Sequence, residues 1–203
     1  MKKSSMVGLG CLAVIVLAVI IIGFSTLGTY NSLVAEEQNV ITQWAQVENQ
    51  YQRRADLIPN LVNTVKGFAA QESNVLQAVT KSRSQVGSMT VSPETLNNPA
   101  AFAQFQQAQD GLSSALSRLL VVVERYPELK SNQNFLDLQV QLEGTENRIG
   151  TARMRFNEAA QSYNTRIKQF PGNIFARIFG FQEKAYFQSE PGSEKPPVVD
   201  FTQ

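Results

Sequence analysis

The sequence predicts an all-α protein: an N-terminal transmembrane helix, an antiparallel up-down four-helix bundle, and a short C-terminal amphipathic helix. Three observations predict it. A long apolar run lies near the N-terminus, apolar residues recur at alternating steps of three and four from residue 30 to residue 170, and strand signals are almost absent there. Such spacing is typical of helices that pack along a seam.

The apolar run extends from Met6 to Phe24 and carries no charge. Its length is close to the ~20 residues that a helix needs to cross a bilayer. We therefore expect a transmembrane helix over residues 6–28. A cleaved signal peptide, and hence a secreted protein, is the alternative.

The charges that flank the run predict its orientation. Lys2 and Lys3 precede it, and the first charged residues after it are acidic, Glu36 and Glu37. The positive-inside rule then leaves residues 1–5 in the cytoplasm and the helical domain outside it. The charges therefore predict that the membrane separates the helical domain from the cytoplasm.

The bundle is predicted over residues 29–170, and its four helices are defined by their apolar seams. The seams are Leu33, Val40, Trp44, Val47 and Tyr51; Leu57, Ile58, Leu61, Val62, Val65, Phe68, Val75, Leu76 and Val79; Phe102, Phe105, Gln109, Leu112, Leu116, Leu119, Val123 and Tyr126; and Phe135, Leu138, Leu142, Thr145, Ile149, Ala152, Phe156, Ala159 and Tyr163. Asn98 and Pro99 predict the start of the third helix. The polar, proline-containing end, residues 189–203, is predicted to be a flexible tail.

The stretch YQRRADLIPNLV, residues 51–62, is interpreted as a tight corner between the first two helices. One helix over residues 30–86 would be about 85 Å long, whereas a hairpin at residues 53–56 gives two helices of about 40–45 Å. Asp56 would cap the second helix and Pro59 would lie in its first turn. A continuous, proline-kinked helix is the alternative.

Several runs resemble the LemA family, and the likeness covers nearly the whole chain. They are Tyr30-Asn31-Ser32-Leu33-Val34; Arg53-Arg54-Ala55-Asp56-Leu57-Ile58-Pro59-Asn60-Leu61-Val62; Val65-Lys66-Gly67-Phe68 with Glu72; Ala152-Arg153-Arg155-Phe156-Asn157 with Tyr163-Asn164; and Phe170-Pro171, Phe179-Gly180-Phe181 and Tyr186-Phe187. The resemblance implies a bacterial single-pass membrane protein with an antiparallel helical-bundle domain. Its implied location is the bacterial cytoplasmic (inner) membrane. It implies no catalytic residues.

Residues 171–188 form a segment dense in aromatic side chains. We expect it either to lie on the membrane as an interfacial helix or to fold back and cap the bundle. The candidate residues for either role are Phe175, Arg177, Ile178, Phe179, Phe181, Lys184, Tyr186 and Phe187.

An up-down bundle would place the corner at residues 53–56 beside the turn at residues 126–130, away from the membrane. The two would form a mixed-charge tip, with ion pairs such as that of Arg54 with Glu128. One interpretation is that helix capping and these exposed ion pairs account for the tip. The functional hypothesis is a docking patch for another, unknown protein, because Arg and Tyr are typical interface anchors. Its candidate contacts are Tyr51, Arg53, Arg54, Asp56, Asn60, Tyr126, Glu128 and Lys130.

The composition argues against most catalytic chemistry. The chain has no histidine, and Cys11 is its one cysteine, so the usual general base, zinc ligands and Cys/His nucleophile pair are missing. We expect no enzyme activity, no cofactor and no metal. A net charge of +1 argues against nucleic-acid binding, which depends on the neutralisation of phosphates.

The favoured function is therefore a membrane-anchored scaffold or adaptor that acts through protein contacts. Two alternatives remain at this point. One is an oligomeric, membrane-organising structural protein formed as a homo-oligomer. The other is a ligand sensor or enzyme that uses buried polar groups between helices, for which the fourth helix offers Glu143, Glu146, Arg148, Arg153, Arg155 and Glu158.

Overall fold

A computed structural model describes residues 2–89 and 91–189, with side chains from residue 26 onward and at positions 16, 17 and 23. Over these residues the chain is all-helical, without a strand. The helices are α1 (Lys2–Phe68), α2 (Ser73–Gly87), α3 (Pro93–Leu96), α4 (Pro99–Val123), α5 (Pro127–Lys130), α6 (Gln133–Lys168) and α7 (Gly172–Phe179).

The predicted corner at residues 53–56 is wrong, because α1 runs without a break from Lys2 to Phe68. Asp56 lies inside this helix and accepts a hydrogen bond from the Gln52 side chain at 2.8 Å, so it does not cap a helix start. The prediction assumed four helices of similar length. α6, with 36 residues, is long enough to cover α1 through both halves of the domain.

Pro59 is accommodated within α1 by a side chain from another helix. A proline inside a helix cannot donate to the carbonyl four residues earlier, here that of Ala55. Arg83 of α2 donates its Nε–H to this carbonyl oxygen at 2.9 Å. The hydrogen bond that Pro59 removes is thus replaced, and α1 continues.

The first reversal of the chain lies at residues 69–72, between α1 and α2. Tyr126 donates its hydroxyl to Glu72 at 3.0 Å, and Arg125 forms an ion pair with the same carboxylate at 3.1 Å. The turn before α5 is therefore a neighbour of residues 69–72. The prediction that it adjoins residues 53–56 is wrong.

The core consists of two apolar clusters along α1. We name the cluster nearer the N-terminus of α1 the near half. It contains Leu33, Val40, Trp44, Val47, Tyr51, Leu96, Phe102, Phe105, Ile149, Phe156, Tyr163 and Phe187, among others. We name the cluster nearer the C-terminus of α1 the far half. It contains Ile58, Leu61, Val65, Leu76, Val79, Leu112, Leu116, Leu119, Val123, Leu129, Phe135 and Leu142, among others. Most of the predicted seam residues are buried in one of these clusters.

The two halves are completed by different elements. In the far half α2 packs beside α1 and α4, as Leu76 and Val79 show. α2 has only 15 residues, and the near half is covered instead by α3 and by the extended chain after α7, through Leu96, Ala185 and Phe187. An up-down bundle of four full-length helices is therefore not confirmed.

Among the residues whose side chains are described, no helix combines the length and apolar character that a bilayer span requires. The backbone of the predicted span, residues 6–28, is helical. For most of these residues the structure describes the backbone alone. The predicted tail lies outside the described residues from position 190 onward.

Candidate functional site

The adjacent arginines of the motif at residues 51–62, Arg53 and Arg54, lie on different sides of α1. Successive residues of an α-helix are rotated by about 100° because 3.6 residues form a turn. Arg54 is 1% exposed and lies on the same side as Tyr51 and Ile58, whereas Arg53 is exposed. One arginine is therefore part of the core and the other is part of the surface.

Arg54 joins three helices. Its Nη1 donates to Ser113 Oγ of α4 at 2.7 Å and to Glu146 Oε1 of α6 at 2.8 Å. Its Nη2 donates to the side-chain oxygen of Gln109. The predicted pairing of Arg54 with Glu128 is wrong, because α1 passes straight through the motif and brings Arg54 between α4 and α6.

Arg153 forms a second set of contacts beside the first. Its Nε donates to the Tyr51 hydroxyl at 2.7 Å, and its Nη2 pairs with Asp110 Oδ1 at 3.1 Å. The centroid of the Tyr51 ring lies 5.3 Å from the guanidinium group of Arg54 and 5.6 Å from that of Arg153. The motif is thereby connected to α6 through a cation–π and hydrogen-bonded network.

Burial raises the pKa of Tyr51, although the neighbouring Arg153 lowers it in part. The phenol therefore stays protonated, and its hydroxyl oxygen accepts the hydrogen bond from Arg153. Burial lowers the pKa of Arg153, but Tyr51 and Asp110 outweigh it, so the pKa is raised overall. Both groups keep a single charge state over the physiological pH range.

We name these residues the polar layer: Tyr51, Arg54, Gln109, Asp110, Ser113, Glu146 and Arg153. It lies where the near and far halves of the core meet, since Phe105 precedes and Leu112 follows its first α4 residues. Two cations meet two carboxylates, so the charges balance. Within the described residues no group of three or more His, Cys, Asp or Glu side chains could hold a metal.

The predicted partner contacts divide into three groups. Tyr51 and Arg54 belong to the polar layer and are buried. Arg53, Asp56 and Asn60 are exposed, and their spacing of three and four places them on one face of α1. Tyr126, Glu128 and Lys130 lie at the end of the far half, where Lys130 pairs with Glu124. No single patch of the described surface contains all three groups.

The chain after α7 is held in the near half by buried polar contacts. We name residues 181–189 the strap. Lys184 is 4% exposed, and its Nζ donates to Glu37 Oε1 at 2.6 Å and to Asn97 Oδ1 at 2.8 Å. Asn164 of α6 accepts from the Lys184 backbone N–H at 2.9 Å and donates to its carbonyl at 2.8 Å.

Phe187 connects the strap to both the core and the polar layer. Its backbone exchanges two hydrogen bonds with the Asn157 amide, at 2.9 and 3.0 Å. Its ring packs against Trp44 and Phe156, and the Arg153 guanidinium lies 4.9 Å from the ring centroid. The strap is therefore an integral part of the fold.

Sequence reasoning did not find Gln109, Ser113, Asn157 or Asn164 as members of a network. Gln109 gave a usable signal, since it is a polar residue at a seam position. Asn157 and Asn164 lie within runs that carry the family resemblance, but their spacing gives no indication that they bind a distant backbone. Ser113 has no sequence signal.

The predicted aromatic segment is helical only in its first half. α7 ends at Phe179, where Gly180 adopts a left-handed φ of 78° that turns the chain into the strap. Phe175 and Phe181 are partly buried, and Lys184 and Phe187 are buried. Arg177, Ile178, Phe179 and Tyr186 are exposed, and the Tyr186 hydroxyl accepts a hydrogen bond from Asn164 at 2.9 Å.

These features define a class of protein: an all-helical domain on one very long N-terminal helix, braced by an internal ion-pair layer and a C-terminal strap. The chain belongs to the LemA family, whose family model matches residues 43–201.

Curated relatives are similar along most of their length. The magnetosome protein MamQ 2 of Paramagnetospirillum magneticum is 28% identical, over 91% of this chain and 74% of its own. MamQ of Magnetospirillum gryphiswaldense is 27% identical, over 93% and 75%. Protein LemA of Metamycoplasma hominis is 21% identical, over 86% and 75%.

Proposed function

We propose that the protein is a single-pass membrane-anchored scaffold that holds a rigid helical domain beside the bilayer and binds another protein through that domain. The proposed location is a bacterial inner membrane, with the N-terminus in the cytoplasm and the domain outside it. The observation that carries the proposal is the continuity of α1, which leads from the predicted span into the domain without a loop.

A continuous helix transmits position and orientation, whereas a flexible linker does not. α1 packs against α6 in both halves of the core, so its direction within the domain is fixed by side chains from end to end. Two polar contacts also hold α1 in place. Arg54 donates to Glu146 within the polar layer, and Glu37 accepts a hydrogen bond from Lys184 of the strap. This construction favours a protein that presents a surface at a set distance from the membrane.

The proposed contact surface is the exposed face of α1 that carries Arg53, Asp56 and Asn60. Arg53 has no ion-pair partner among the residues that the structure describes. Arginine is enriched at the centres of protein interfaces because its planar group both stacks and forms several hydrogen bonds. A partner with an acidic or amide-rich surface fits this face.

The test uses the full chain in its own membranes. A photo-crosslinking amino acid replaces Asn60, one turn beyond Asp56, and its adducts are separated by mass and identified. We expect a discrete adduct that is lost when Arg53→Gln is added, because a desolvated arginine anchor contributes about 2 kcal/mol or more to an interface.

Arg155→Gln is the matched control, since Arg155 is also exposed but lies on α6. It should leave the adduct unchanged. The same adduct at the same yield in the Arg53→Gln protein would exclude this face as the docking surface. Release of the protein from membranes by alkaline carbonate would separately exclude the anchor.

A further inference from the structure

We propose that one face of α7 rests on the lipid surface, so that the domain is attached to the bilayer at a second point beside its anchor. We name it the α7 face: Phe170, in the turn that precedes the helix, with Ile174 and Ile178, which a step of four places on one side of α7. Their exposed fractions are 80%, 48% and 66%. This inference rests on the proposed membrane anchoring and names lipid as a partner of the domain.

The α7 face is held in place by close backbone packing. A Cβ atom on Gly172 would lie 2.2 Å from the carbonyl oxygen of Arg166, so only glycine allows α7 to approach the end of α6 this closely. On the inner side of α7, Ala176 is buried and Phe175 packs against the near half of the core. The outer side is thus presented by a fixed helix.

Its position relative to the predicted span points to the bilayer as the partner. The Tyr30 ring of α1 lies 4.9 Å from the Phe179 ring and 5.9 Å from the Phe181 ring. The predicted span ends at residue 28, which is only about 3 Å along the helix from Tyr30. α7 therefore lies at the height where α1 would leave the lipid.

The chemistry of α7 suits a lipid interface. Isoleucine and phenylalanine can enter the boundary between headgroups and acyl chains, as in interfacial amphipathic helices. Arg177 is exposed next to Ile178 and can extend toward lipid phosphates while its stem stays in apolar surroundings. Tyrosine at the height of Tyr30 is typical of the aromatic belts of membrane proteins.

The test places a fluorophore on the α7 face of the full chain in vesicles. Cys11→Ser removes the native thiol, and Ile178→Cys carries the probe. The vesicles contain phosphatidylcholine and phosphatidylglycerol with a nitroxide on the headgroup or the upper acyl chain. We expect the nitroxide lipids to quench most of the fluorescence at position 178.

Val140→Cys is the matched control, because Val140 is 68% exposed but lies on the part of α6 in the far half. Its probe should remain bright. If the protein floats with the vesicles and the two probes are equally bright, the α7 inference alone is overturned. Failure of the folded chain to float would overturn the membrane anchoring and this inference together.

A second copy of the chain is the competing occupant of the α7 face. Disulfide-linked dimers through Ile178→Cys, formed in vesicles without quenching by nitroxide lipids, would assign the face to a homo-oligomer and overturn the proposal. Strong quenching without such dimers supports it. Circular dichroism of each variant verifies that the helical fold is kept.

Discussion

Arg53 and Arg54 are chemically identical neighbours with different surroundings. Arg54 enters the core because α4 and α6 supply Gln109, Ser113 and Glu146 to its guanidinium group. A buried arginine needs such partners, since an unpaired charge in the core is strongly destabilising. Arg53 faces solvent, where its guanidinium group is accessible to another molecule.

Arg54→Gln should destabilise the fold. Removing one partner of a fully buried ion pair costs about 3–5 kcal/mol. Glu146 is 41% exposed and can be hydrated, so we expect a smaller loss of about 2–3 kcal/mol. Urea denaturation of the full chain in detergent measures it.

Arg53→Gln is the control for that measurement, and it should change the free energy of unfolding by less than about 0.5 kcal/mol. Equal losses in the two variants would contradict the assignment of one arginine to the core and the other to the surface.

We expect the fold to lose stability at alkaline pH, because two of its tyrosines are buried. Burial raises the pKa of Tyr51 and of Tyr163 above the ordinary value of 10.0. Below pH 10 both phenols are protonated in the folded and unfolded chain. As pH rises above 10 the unfolded chain loses these protons first, so stability falls.

Urea midpoints at pH 8, 10 and 11 measure this effect. Tyr163→Phe should reduce the loss between pH 8 and pH 11, because one of the two titrating groups is then absent. An unchanged loss in this variant would show that Tyr163 does not contribute to the alkaline transition.

Residue-level prediction from the sequence succeeded for apolar seams and failed for charged residues. Trp44 and Phe156 each belong to a row of apolar residues at helical spacing, and both are buried. Arg54 and Lys184 are also buried, but a charged side chain in a sequence is expected at the surface unless its partners are known. Those partners come from distant helices, so local pattern cannot reveal them.

Trp44→Ala tests the near half of the core. Trp44 is 5% exposed and packs against the rings of Phe102, Phe105, Phe156 and Phe187. Truncating a buried aromatic side chain typically costs about 3–5 kcal/mol. A melting temperature that does not change would contradict the packing of α1 against α4 and α6.

At the scale of elements, Pro59 explains why the predicted corner is absent. The sequence indicates a helix start, because aspartate and proline are typical of the first turn. The structure keeps α1 intact because Arg83 replaces the missing donor to Ala55. This donor lies 28 residues beyond Ala55, outside any local sequence signal.

We expect the effects of substituting Pro59 and Arg83 on the free energy of unfolding to be coupled. Arg83→Met should cost about 1–3 kcal/mol because it leaves the Ala55 carbonyl without a donor. In a Pro59→Ala background the backbone N–H is restored, so the same change should cost much less. A double-mutant cycle in urea measures the difference; additive effects would contradict the account.

The C-terminal elements were predicted in part. The sequence indicated the end of α6 near Pro171 and the aromatic character of residues 171–188. It did not indicate that Gly180 would end α7 and redirect the chain. The left-handed conformation is one that glycine permits, but the extended strap depends on Asn157 and Asn164, which bind its backbone.

At the scale of the whole molecule, α1 determines the architecture. It is the common support for α6, α2 and α7, and both halves of the core are built on it. The all-helical fold followed from the periodicity of the sequence. The path of the chain did not, because the periodicity is the same in one long helix as in two helices joined by a hairpin.

The continuity of α1 is tested most directly by one distance in the full chain. Spin labels at Gln38→Cys and Asn63→Cys, in the Cys11→Ser background, occupy exposed positions on α1. A single helix places these positions about 38 Å apart at 1.5 Å per residue. Pulsed electron paramagnetic resonance should give one narrow distribution near that value, whereas a distribution below about 20 Å would indicate a hairpin at residues 53–56 and contradict the account.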